Sequence, residues 1–260
     1  GNPRVFNTTI DLGAYEVQTL PLAGIIYVDK TRPNDSGDGL SWATAFRNLQ
    51  TALAFAGSGA QIWVADGTYS PDEGAGQTAN DRTATFSLKD GVAIYGGFAG
   101  TETLLSQRDP AANVATLSGD LQQNDTPPFG NNGDNAYHVV TSNGNAATAL
   151  LDGFTITAGN ANASSFPDND GGGVSNSGGS SPSFTNVTIS GNIANDDGGG
   201  VSNSNSSPSF TNVTISGNTA NDGGGVSNSG GSNPSYTNVT ISGNIANDDG
   251  GGVSNSNSSP

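Results

Sequence analysis

Apolar and polar residues alternate through Val187, Thr188, Ile189 and Ser190, and the same alternation returns at Val213 to Ser216 and at Val239 to Ser242. A period of two is the mark of a half-buried strand. The surroundings return with it. GGGVSNSGGSSPSFTNVTISGNIANDD begins at Gly171, near-copies begin at Gly198 and Gly223, and a fourth, GGGVSNSNSSP, begins at Gly250. Val174, Val201, Val226 and Val253 hold the same place in successive copies, 27, 25 and 27 residues apart, so the larger unit is a pair of copies. Such a period denotes a solenoid.

The copies are too polar and too rich in glycine for helical solenoid units. Each strand ends at Gly-Asn, each copy has a Gly-Gly-Gly corner, and a Pro-Ser step precedes the next strand, so one copy reads as one coil of short strands joined by turns. One coil cannot bury its own apolar face. Stacking at ~4.8 Å per coil brings Phe184, Val187, Ile189 and Val201 against Phe210, Val213, Ile215 and Val226. It also aligns Asn192, Asn218 and Asn244 in one column and Asn203, Asn228 and Asn255 in another. Such columns form amide ladders, as in cross-β stacks, or serve as plain turn residues.

Further upstream the period changes. Trp42, Phe46, Leu49, Leu53 and Ala56 are spaced by three and four residues, which predicts an amphipathic helix of about four turns. A coil stack has open strand edges at its ends. The helix is expected to cover the first coil.

The SPSFTNVTISGN and GGGVSN copies resemble the coils of right-handed parallel β-helix proteins secreted by bacteria, among them the repeat regions of polymorphic outer-membrane proteins and large surface adhesins. IIYVD at 25–29, GLSWATAFRNLQTAL at 39–53, IWVADGTYSP at 62–71 and GVAIYGGFAGTE at 91–102 resemble the opening of the same kind of module. The resemblance covers nearly the whole chain. It implies an all-β fold, a right-handed parallel β-helix with a short N-terminal capping helix, and an extracellular or cell-surface location. VFNTTIDLGAYEVQ at 5–18 resembles the closing strand of such a module, so residues 1–23 are expected to be the tail of an upstream module or a strand that caps a neighbouring subunit. The expected division is then 1–23, an N-terminal cap with first coils over 24–150, and regular coils over 151–260. Because Ser258-Ser259-Pro260 matches the start of earlier strands, the stack is expected to continue.

Composition narrows the class. The chain has 39 glycines, no cysteine and a net charge of −16. Absence of cysteine excludes a disulfide framework and a thiolate metal site, and the acidic balance argues against nucleic acid or an anionic membrane as partner. All seven basic residues lie at or before Arg108, and only aspartates carry charge beyond it. Asp196, Asp197, Asp222, Asp248 and Asp249 fall at one corner of successive coils, with Asp168 and Asp170 just before. Stacked carboxylates repel by roughly 0.9 kcal/mol per pair even in water. Calcium between them would remove that cost, and salt screening at a solvated turn is the simpler alternative.

Cleavage of an acidic polysaccharide would need paired carboxylates or calcium with a base, and no lysine or arginine follows Arg108. His138, in AYHVV, reads as a structural strand residue. Asp109, Asp120, Asp125, Asp134 and Asp152 have no telling spacing. Thr188 and Ser190, repeated at Thr214 and Ser216 and at Thr240 and Ser242, form hydroxyl columns suited to glycans or ordered water. Asn162, Asn186, Asn205, Asn212, Asn238 and Asn257 fit the N-glycosylation pattern, as chance allows in so polar a chain. The expectation is an extracellular structural protein without a catalytic site or obligate cofactor, a stiff filament, sheath or adhesin stalk that self-associates head to tail. The alternative is a carbohydrate-binding or carbohydrate-cleaving module.

Overall fold

A computed structural model describes residues 5–6, 9–10, 22–126 and 130–260. From Leu22 onward the chain winds as a parallel β-helix. Its first face is a sheet of seven strands, from Leu22–Val28 through Ala56–Ala65, Ala93–Phe98, Leu150–Asp152, Ser183–Thr185 and Ser209–Thr211 to Ser235–Thr237. The second face runs from Gly67–Tyr69 to Thr240–Ser242 and the third from Phe86–Ser87 to Val253–Asn255, each with six strands. A narrow fourth sheet joins Asn160–Ala161, Ile193–Ala194, Thr219–Ala220 and Ile245–Ala246. Every strand pairs in parallel with its equivalent one coil away, and the spatial order within each sheet is the chain order. Seven stacked layers make the first face about 30 Å tall.

Registers follow the copies: Phe184 pairs with Phe210 and then Tyr236, and Ile189 with Ile215 and then Ile241. Alternation turns these side chains into one continuous core that also holds Ile26, Ile62, Leu151, Val174 and Val201. Phe184, Phe210 and Tyr236 stack face to face, with centroids 5.2 and 5.4 Å apart. The Gly-Gly-Gly corner owes its composition to close coil contact. A Cβ at Gly199 would stand 2.3 Å from the Thr219 carbonyl oxygen, and one at Gly224 would stand 2.2 Å from that of Ile245.

The paired repeat has a local cause. Pro182, Pro208, Pro234 and Pro260 are evenly spaced, so the first two faces repeat at constant length and only the third alternates. A coil with Asp-Asp before the third face carries one residue more there than the coil with a single Asp. After the third face a Gly-Gly turn alternates with a single Asn, which restores the count. The space beside Gly230 is filled by Asn205 of the previous coil, whose Oδ1 would lie 2.6 Å from an added Cβ. Gly178 meets Asn143 in the same way, at 2.2 Å. Large over small in successive turns requires two coils per repeat.

The capping helix is shorter than the spacing predicts. It spans Leu49–Phe55, with Leu49, Ala52 and Leu53 buried against the first coil. Trp42–Thr44 forms a separate 3-10 turn, and Phe46 forms a parallel bridge with Val28. Asp35 explains the break: its Oδ1 accepts the backbone N–H groups of Arg47 and Asn48 at 2.7 and 2.8 Å, holding them outside the helix. Ala56 begins the next strand. The expectation for residues 1–23 falls mostly outside the described residues; Val5–Phe6 and Thr9–Ile10 pair with each other, antiparallel. Among the described residues no helix is long and apolar enough to cross a membrane.

Candidate functional site

Stacking converts single residues into columns, and the asparagine columns are hydrogen-bonded. In the third face Asn176 Nδ2 donates to Asn203 Oδ1, Asn203 to Asn228 and Asn228 to Asn255, each at 2.8 Å. At the second corner Asn192 donates to Asn218 and Asn218 to Asn244, both at 3.0 Å. Both predicted ladders therefore form, with members at the stack centre fully buried. A third ladder runs outside and in the opposite sense: Asn238 donates to Asn212 at 2.8 Å, Asn212 to Asn186 at 3.1 Å, and Asn186 to Asp152 Oδ1 at 2.8 Å. These three asparagines have left-handed backbones and fit the glycosylation pattern. Their amide nitrogens are occupied by the ladder.

The acidic corner resolves into three arrangements. Asp170, Asp197, Asp222 and Asp249 follow one another up the stack: Asp170 Oδ1 accepts the Asp197 backbone N–H at 3.2 Å, Asp197 bridges Asp222, and Asp222 Oδ1 accepts the Asp249 N–H at 2.8 Å. Burial pushes the Asp170 carboxyl up to about 7, aided by the charges of Asp197 and Asp196. Asp197 is raised for the same first reason, and then by Asp196 and Asp222. Asp196 and Asp248 are the extra residues of the longer coils, and Asp196 Oδ2 accepts from Asn169 at 3.2 Å. Asp168 stands apart from the column, opposite His138. Among the described residues no three histidine or acidic side chains converge as a metal cage. The backbone amides of Asp197 and Asp249 offset part of the column's repulsion.

His138 lies just before the strand Val140–Asn143, not within it. Its Nδ1 meets the Gly171 carbonyl oxygen at 3.0 Å, and its Nε2 faces Asp168 Oδ1 at 3.5 Å. Burial holds the imidazole below its usual value, against the opposing pull of Gly171 and Asp168.

Two clefts flank the second face. One, of about 300 Å³, is lined by Asp120 and Asp125 together with Ser118, Asn135 and Thr157. Asn135 Nδ2 donates to Asp125 Oδ2 at 2.8 Å, while burial, and then Asp120 and Asp134, push the Asp125 carboxyl up. The other, of about 460 Å³, is lined by Arg108, Asp109 and Asn186. Arg108 is engaged: its Nη2 lies 2.6 Å from Asp152 Oδ2, and its guanidinium lies over the Tyr95 ring at 5.3 Å. Sequence spacing gave no hint of either grouping, because coil stacking brings Thr157 beside Asp120 and Asn186 beside Arg108. The hydroxyl columns do form, and they extend further than the copies suggest: Thr68, Thr116, Thr155, Thr188, Thr214 and Thr240 stand in register.

The last coil differs from those beneath it. Phe210, Val213 and Ile215 are buried, whereas Tyr236, Val239 and Ile241 are only partly covered and Ile245 is 57% exposed.

Searches of curated proteins and of solved structures return no match. A family model described as a protein of unknown function (DUF1565) matches residues 31–259, which takes in the capping helix, both clefts and all four copies. With its match spanning most of the sequence, the chain belongs to the DUF1565 family.

Proposed function

We propose that this protein is an extracellular structural element, a stiff β-helical filament, sheath or adhesin stalk at the cell surface that self-associates head to tail. The observation that carries the reading is the run of near-identical coils from Gly171, in which like residues stand in register on like. Such a stack suits a mechanical role. Its inner residues repeat over three coils with a single change, Tyr236 in the place of Phe184 and Phe210, as suits a spacer in which any coil replaces another.

Sedimentation velocity tests this. The protein is expected to associate as concentration rises, and Ile241→Lys with Ile245→Lys, which place charge in the stacking surface of a coil, are expected to hold it monomeric. A wild-type chain that stays monomeric at its solubility limit would overturn the reading.

A second reading, a carbohydrate-binding or carbohydrate-cleaving module, is supported by the Asp120 and Asp125 cleft. Two carboxylates in one cavity, one pushed up by burial, are the raw material of acid and base pairs. Retention on immobilised polysaccharide that is lost in Asp125→Asn would favour this reading over the first.

A further inference from the structure

We propose that His138 and Asp168 form a binding site for a divalent transition ion of the zinc class. The His138 side chain is more than nine-tenths buried. Its Nδ1 meets a backbone carbonyl, that of Gly171, at 3.0 Å. A carbonyl only accepts, so Nδ1 carries the proton and Nε2 presents a lone pair. That lone pair has no hydrogen-bond partner. What it faces is a carboxylate oxygen, Asp168 Oδ1, at 3.5 Å. Two electron-rich atoms held against each other, one of them buried, call for a cation between them.

The geometry suits one. Donors bound to a tetrahedral zinc ion at ~2.0–2.1 Å lie about 3.3 Å apart. A metal-binding histidine typically donates its other ring N–H to a carbonyl or carboxylate, which fixes the tautomer, and Gly171 supplies that contact here. Asn169 Oδ1, next in sequence to Asp168, is also buried without a partner. The imidazole selects the metal class, since calcium and magnesium prefer oxygen ligands throughout. Water completes the coordination sphere. Occupancy would fasten the 162–170 segment, which carries the exposed Phe166, to the coil corner at Gly171.

The test uses untagged full-length protein, because His138 is its only histidine. Calorimetric titration with zinc is expected to give one ion per chain, and copper substitution is expected to give an electron paramagnetic resonance spectrum with one nitrogen ligand. Asp168→Asn and His138→Gln are each expected to weaken zinc by about tenfold or more, whereas Asp248→Asn leaves it unchanged. Should His138→Gln fail to fold, the partly exposed Asp168 variant and the wild-type copper spectrum still decide. Absence of stoichiometric zinc binding, zinc affinity indifferent to Asp168→Asn, or a copper spectrum without nitrogen would each overturn the site.

Discussion

The coils before Leu150 and those after Gly171 share one core and one winding, yet they solve stacking differently. In the first part each coil is unique. Trp42, Trp63, Phe98 and Tyr27 interlock as unlike rings, with Trp63 and Phe98 stacked at 4.7 Å and Tyr27 set edge-on to both tryptophans. Lys30 pairs with Glu73 and Arg108 with Asp152, and both clefts with their loops belong mainly to this part. In the second part like sits on like: phenylalanine on phenylalanine, asparagine on asparagine, threonine on threonine. Identity makes these contacts additive along the stack. The lesson is a division of labour, with candidate chemistry gathered where coils are irregular and length built where they are identical.

The sharpest way to break the comparison is to hollow the regular core. Phe210→Ala is expected to cost about 3–5 kcal/mol, since Phe210 lies between Phe184 and Tyr236, while Tyr236→Ala on the open coil costs clearly less; urea denaturation measures both. Next comes the inner ladder. Asn203→Ala removes two hydrogen bonds and leaves Asn176 Nδ2 and Asn228 Oδ1 unpartnered in the core, for about 2–4 kcal/mol. In the irregular part, Arg108→Met leaves the largely buried Asp152 carboxylate without its partner, for about 2 kcal/mol. The same change frees the base of the outer ladder, so coupling between Arg108→Met and Asn186→Ala in a double-mutant cycle would show that the two parts communicate.

A pH series separates the parts more gently. Burial raises the Asp170 carboxyl to about 7 and moves the Asp197 carboxyl in the same direction. Folding therefore favours their protons: the stability Asp170 lends is full below about pH 4 and lost as pH rises through about 7, and Asp197 adds a fall of the same sign. Asp197→Asn is expected to flatten that fall, as read by thermal melts across the range. Smallest of all is Asn212→Ala on the exposed outer ladder, expected to cost under about 1 kcal/mol.

Much of this was legible in the residues. Alternation at Val187 to Ser190 gave the strands, the near-copies gave register, and register placed Asn192 on Asn218 and Asn203 on Asn228 before any coordinates. The irregular part was harder to read. Helical spacing from Trp42 to Ala56 overstated the helix because Asp35, a dozen residues upstream, intercepts two amides that the pattern alone would assign to it. Asp125 with Asn135 and His138 with Asp168 meet through loops whose paths no periodicity records. Repetition makes contacts readable, and the loops lack it.

The most direct test of the structural account is electron microscopy and fibre diffraction on concentrated, never-refolded protein. The account predicts uniform filaments, abolished by Ile241→Lys, with a meridional reflection near ~4.8 Å from coils stacked along the fibre axis. Discrete rods about 30 Å tall, unchanged by that substitution, would contradict it.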